Sequence, residues 1–190
     1  VIRGGEAGGR EQQMLFKDVL GAIKSETLPK SAADFRLLQK KSASYVLPYA
    51  EGRSGATSKG VLNRTFTFDK NAYGWKSVRI VKVGKNLKLF IDTEDCGTNE
   101  IECGYREWTL SEVATKFPPN ARGNTKGAFS GFTSPFKASA SYGWSRDGKL
   151  NVKVLYVDWM SGAKLQFDFV QNQMTLQENY EGKASLLRFK

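Results

Sequence analysis

Leu150–Val170 reads LNVKVLYVDWMSGAKLQFDFV. Val152, Val154 and Tyr156 recur at every second position, and so do Leu165, Phe167 and Phe169. A period of two sends one set of side chains to each face of a pleated strand. Ser161-Gly162 between the two runs is turn chemistry. The stretch therefore predicts two neighbouring strands that each bury one face.

The same period extends outward in both directions. Leu87, Leu89 and Ile91 alternate, and short apolar runs occupy Arg64–Asp69, Trp75–Val83, Leu87–Thr93, Glu100–Leu110, Lys137–Trp144, Leu150–Asp158, Lys164–Val170, Gln173–Gln177 and Ser185–Phe189. Gly84-Lys85-Asn86, Asp147-Gly148 and Glu181-Gly182 supply further turns between them. Short strands at this spacing predict a mainly β fold, an antiparallel meander of about eight strands that closes into a barrel or a sandwich. Pro118–Ser134 carries no strand pattern and reads as a long loop.

Ahead of Pro48 the period changes to that of a helix. Leu15, Val19, Ala22 and Ile23 form one apolar stripe over Arg10–Lys24, which Leu28-Pro29 ends. Ser31 followed by Asp34 resembles a capping box and opens a second helix through Phe35, Leu38 and Tyr45, stopped at Leu47-Pro48. Tyr49–Lys59, YAEGRSGATSK, has no apolar period and reads as a linker. The expected organisation is a helical segment and connector at 1–48, a linker at 49–60 and the β domain at 61–190. Val1–Arg10 lacks both an initiator Met and an apolar signal-peptide core, and reads as a cut from something longer. No stretch is apolar for the ~18 residues a transmembrane helix needs.

Composition narrows the chemistry. The 190 residues include no histidine and two cysteines, Cys96 and Cys103. That removes the Ser-His-Asp triad, zinc sites built with histidine, and sites built from four cysteines. No cofactor or metal is implied. The carboxylates Asp92, Glu94, Asp95, Glu100 and Glu102 match no calcium loop and read as a solvated hairpin. The net charge of +10 would suit an anionic partner. However, Lys40-Lys41 is the only adjacent basic pair, and no basic run of five occurs. The charge therefore reads as scattered rather than as a nucleic-acid footprint. A basic face would need Arg79, Lys82, Lys85 and Lys88 to share one surface.

Two Ser-x-x-Lys matches occur, Ser134-Pro-Phe-Lys137 and Ser161-Gly-Ala-Lys164. The nucleophile motif of this spacing needs a helix to turn the lysine back onto the hydroxyl. Both matches sit in strand or turn patterns, so no catalytic residue is assigned. Cys96 and Cys103 flank GTNEIE. Folded back as a hairpin, that span would bring them within disulfide range; otherwise they are two separate thiols. Phe129, Phe132, Phe136, Tyr142, Trp144, Tyr156 and Trp159 cluster late in the chain. They either line a cavity for a small apolar or sugar ligand or fill a β core.

The order of segments resembles the C-terminal part of the β-lactamase-related serine hydrolases, the class C β-lactamase and penicillin-binding-protein-like family. Val1-Ile2-Arg3-Gly4-Gly5, Glu11–Lys24, and Thr27-Leu28-Pro29 with Val46-Leu47-Pro48 are similar to the end of the hydrolase sheet, its last helix and a connector. Arg64-Thr-Phe-Thr-Phe68, Asn71-Ala-Tyr-Gly-Trp75, Glu102-Cys-Gly104 with Trp108, and Ala140-Ser-Tyr-Gly-Trp144 resemble landmarks of the β-rich tail. The resemblance implies a lipocalin-like barrel serving as a non-catalytic accessory domain. Such a domain shapes or covers the substrate entrance of a covalently attached serine hydrolase, or anchors it, in the bacterial periplasm or cell envelope. The alternatives are a free-standing lipocalin-like binder of small ligands and a basic binder of nucleic acid or an anionic surface.

Overall fold

The computed structural model describes residues 13–23, 30–55, 60–94, 97–113, 136–157, 161–178 and 184–190. The chain forms two compact units, Val1–Pro48 and Tyr49–Lys190.

The first unit is helical. Helix α1, Ala32–Ser44, begins where its cap is written: the Ser31 hydroxyl accepts the Asp34 amide at 3.2 Å, satisfying one of the unpaired donors of the first turn. The earlier helix is less regular than its stripe suggests. Its described part is a π-helical turn, Leu15–Val19, followed by a 3-10 turn, Leu20–Ala22. Gly21, a weak helix former with no side chain to pack, lies in that second turn.

The second unit is the β fold. Among the described residues its strands are β1 (Thr65–Thr67), β2 (Trp75–Val83), β3 (Asn86–Thr93), β4 (Gly97–Tyr105), β5 (Thr109–Val113), β6 (Phe136–Trp144), β7 (Leu150–Tyr156), β8 (Ser161–Asp168), β9 (Gln173–Glu178) and β10 (Ala184–Arg188). They form one sheet in the order β1-β2-β3-β4-β6-β7-β8-β9-β10, with β5 pairing to β6. The sheet curls into a half-barrel. Its outer strands meet over a short stretch, where Phe68 bridges Phe189 and Thr67 exchanges backbone hydrogen bonds with Lys190 at 3.0 and 2.8 Å.

The alternating residues supply the core. Leu87, Leu89 and Ile91 of β3, Leu150, Val152, Val154 and Tyr156 of β7, and Leu165 and Phe167 of β8 are all buried, while the residues between them are not. At one end, Phe66, Phe68, Phe169 and Phe189 pack ring on ring with centroids 5.1–5.9 Å apart.

Three strand-level expectations need correction. Glu100–Leu110 is not one strand: Arg106 takes a φ of 54°, and the chain turns there into β5. Gly104 makes that corner tight, since a Cβ on it would meet the side chain and carbonyl of Glu107. Consequently β4 runs parallel to β6 through Cys103–Tyr105, while β5 runs antiparallel to the same strand, so the meander is a mixed sheet. Ser161-Gly162 does not turn. It already belongs to β8, paired with Tyr156 and Leu155.

The segment expected as a linker is docked over its first half. Arg53 exchanges backbone hydrogen bonds with Trp144 at 2.9 and 2.8 Å, and the Ala50 amide donates to the Ser141 hydroxyl at 2.9 Å. Ala50 is buried. The glycines Gly52 and Gly143 allow two backbones to cross in contact.

Candidate functional site

Of the aromatic set proposed from the sequence, the members whose side chains lie among the described residues, Tyr142, Trp144 and Tyr156, fill the core. Tyr142, Trp144 and Tyr156 are inward residues of β6 and β7 and lie in the core with at most 1% exposure. The Tyr142 hydroxyl donates to the Lys85 carbonyl at 2.7 Å, and the Trp144 ring packs on Phe169 with centroids 5.9 Å apart. Burial is the leading cause of a Tyr142 phenol pKa raised above its ordinary value, followed by Tyr105 and Cys103. Phe129, Phe132 and Trp159 lie outside the described residues, as does the whole of the 118–134 loop with Ser134.

Strand geometry carries Cys103 away from the start of β4. The residues after Cys96 run straight into β4 from Gly97 instead of folding back. Six steps from Gly97 to Cys103 at about 3.3 Å each span roughly 20 Å, far beyond the roughly 7 Å that a disulfide tolerates between Cα atoms. Cys96 itself lies outside the described residues. Cys103 is a free, fully buried thiol, and burial, followed by the neighbouring Glu102, pushes its pKa far above the usual range. The thiolate is the reactive form. In a Cys96→Ser background, Ellman's reagent is therefore expected to react with Cys103 only after denaturation. Fast labelling of the folded protein would show that β4 is not packed as described.

The carboxylates and lysines of β2–β4 neutralise one another. Lys88 approaches Glu100 at 3.4 Å, Lys85 approaches Glu107 at 2.8 Å, and Asn86 donates to Glu102 at 2.9 Å. Among the described residues no group of acidic, cysteine or histidine side chains is placed to hold a metal. Arg79 and Lys88 share the outer face, where the Arg79 guanidinium lies 4.3 Å from the Phe90 ring centroid. Lys82 pairs instead with Leu87, whose side chain points into the core, and Lys85 sits at the turn. The four cations do not make one basic surface.

A different set converges on the outer face of β7, β8 and β9. Cross-strand register aligns Asn151, Gln166 and Thr175 in one row, and Lys153, Lys164 and Gln177 in the next. These six side chains form the floor of a groove of about 420 Å³, with Ala50 and Glu51 as its wall. That volume lies within the roughly 300–1,000 Å³ common for small-molecule sites. The wall is held by the docking of 50–53 on β6 and by Asn151, whose amide donates to the Glu51 carbonyl at 3.2 Å. Asn151 in turn accepts from the Gln166 amide at 2.8 Å, which orients both side chains. Lys153 has its pKa lowered, first by burial and then by Lys164 opposite, with Glu51 acting in the other sense.

Sequence reasoning passed over this groove because its residues are the polar half of the alternation, the positions that look like ordinary solvated surface. Lys153 and Lys164 carried no signal either, because the expected turn at Ser161-Gly162 does not make them register partners. Compared with protein-family models, curated proteins and solved structures, the chain matches none of them.

Proposed function

We propose that the β unit is a non-catalytic accessory domain that binds a small ligand in the outer groove over β7–β9. One observation carries this reading: a walled, polar, partly cationic groove stands on a sheet whose interior is filled by its own side chains. The lack of a nucleophile with its base among the described residues supports the same view. The chain has no histidine, and Ser161–Lys164 runs along a strand rather than around the helical turn its motif requires. The order of landmarks that resembles the tail of β-lactamase-related serine hydrolases supports attachment to such an enzyme, outside the cytoplasm, with the groove facing ligands that approach it. Among the described residues no helix is long and apolar enough to cross a membrane.

A fragment screen followed by amide chemical shifts tests the binding role on the full chain. Hits should perturb 151–153, 164–166 and 175–177 together. Hits that instead shift Tyr142, Val154 and Tyr156 would move the site to the barrel interior and overturn the reading. The same preparation is expected to leave a chromogenic β-lactam and a p-nitrophenyl ester unhydrolysed. Turnover abolished by Ser134→Ala or Ser161→Ala would make the chain an enzyme.

A further inference from the structure

Independently of the groove on β7–β9, we propose a second binding site at the end of the β unit where the phenylalanines cluster, one that takes a small apolar monocarboxylate of the size of benzoate. A pocket of about 220 Å³ opens there between the approach to β1 and the β8–β9 turn, and its lining includes Val61, Arg64, Phe66, Phe169, Val170 and Asn172. That volume falls below the roughly 300–1,000 Å³ of sites for drug-sized ligands, so it suits one ring or a short chain. Val61 and Phe66 are buried and make an apolar floor with Phe169, whose ring centroid lies 5.1 Å from that of Phe66. The turn on the other side is braced. The Asp168 carboxylate accepts the Val170 and Gln171 amides at 3.1 and 3.0 Å, and the Asn172 carbonyl accepts the Phe189 amide at 2.9 Å.

Arg64 is the one cation in this lining. Its guanidinium lies 5.2 Å from the Phe66 ring centroid. A guanidinium over a ring keeps the N–H groups of its edge, the fork that matches a carboxylate. No carboxylate lines the pocket, and no ion pair among the described residues includes Arg64. One uncompensated positive charge suits one negative group and disfavours a long polyanion, which needs a track of cations. Val170 stands 77% exposed at the rim. A ligand whose carboxylate meets Arg64 can lay its apolar part against Phe169 and Val170 and take that surface out of water. Asn172 lines the pocket as well, and its carboxamide can donate to the same carboxylate.

The test titrates the full chain, labelled with nitrogen-15, with benzoate, benzamide and acetate. Benzoate should perturb the amides of Arg64, Phe66, Phe169, Val170 and Asn172 together. It should bind about tenfold more tightly than benzamide, which lacks the charge, and about tenfold more tightly than acetate, which lacks the apolar body. Arg64→Gln should weaken benzoate by about the same factor. It should leave the melting temperature unchanged, because Arg64 is exposed. Arg79→Gln removes a guanidinium that also lies over a ring, that of Phe90 on the outer face of β3, and should leave benzoate binding as it is. Benzamide binding as tightly as benzoate would overturn the carboxylate, and acetate binding as tightly would overturn the apolar recognition. Silence of these amides toward benzoate, or an Arg64→Gln protein that binds it unchanged, would overturn the site. The β7–β9 groove stands or falls separately, on the fragment screen.

Discussion

Trp144→Ala is expected to destabilise the β unit by about 3–5 kcal/mol, the usual cost of truncating a buried tryptophan. For a chain of this length that corresponds to a loss of roughly 6–20 °C in melting temperature. The cause is packing. Trp144 is 1% exposed and lies against Phe169, with its backbone paired to Arg53 and Leu150. Removing the indole leaves a cavity between the end of β6 and the phenylalanine cluster. Trp144→Phe is the informative companion. The indole N–H has no hydrogen-bond partner among the described residues, so the smaller ring loses area without orphaning a polar group. It should recover most of the loss. The measurement is thermal or denaturant unfolding followed by far-ultraviolet circular dichroism. A Trp144→Ala protein that melts like the parent but no longer binds a ligand would return this residue to a pocket.

Gly143→Ala should dislodge the wall of the groove. A methyl group on Gly143 would point into the Glu51 carbonyl, with the Glu51 carbonyl carbon at 2.6 Å and the Gly52 amide nitrogen at 2.8 Å. All of these are backbone atoms, which cannot swing aside as a side-chain tip can. A Cβ on Gly52 would meet the converse contact, 2.5 Å from the Trp144 carbonyl oxygen, and the φ of 136° at Gly52 suits no other residue well. Overpacking of this kind typically costs about 1–3 kcal/mol. Hydrogen exchange gives the specific signature. The Ala50 amide, bonded to Ser141, and the Arg53 amide, bonded to Trp144, should lose protection while the β3 and β7 amides keep theirs. Full protection of both in Gly143→Ala would mean that segment 50–53 does not rest on β6. Any ligand whose binding needs Glu51 should weaken in the same variant.

Strand positions were legible from the alternating residues because burial of one face of a strand imposes a period of two. Trp75–Val83 coincides with β2, and the edges of β3, β6, β7 and β9 fall within two residues of expectation. The Ser31 cap was equally local: a side chain and an amide three residues away need no distant partner. The β4–β5 break escaped notice because a non-glycine residue at positive φ, Arg106, carries no mark in the sequence.

What depended on distant contacts was a matter of facing and docking. Whether Tyr142, Trp144 and Tyr156 line a cavity or fill a core depends on how far the sheet curls, and it curls until Phe68 meets Phe189. Tyr49–Lys59 looked like a linker because glycine and serine suit a loose chain and a close backbone crossing equally well; the crossing appears only once β6 presents Gly143 and Ser141. Lys153 and Lys164 become neighbours only through the β7–β8 register, which joins residues eleven apart. By itself the sequence determined where most strands run and which of their side chains share a face, since both follow from local alternation. The tertiary structure alone decided which polar residues stand together, because that depends on register and on segments that pack from far along the chain.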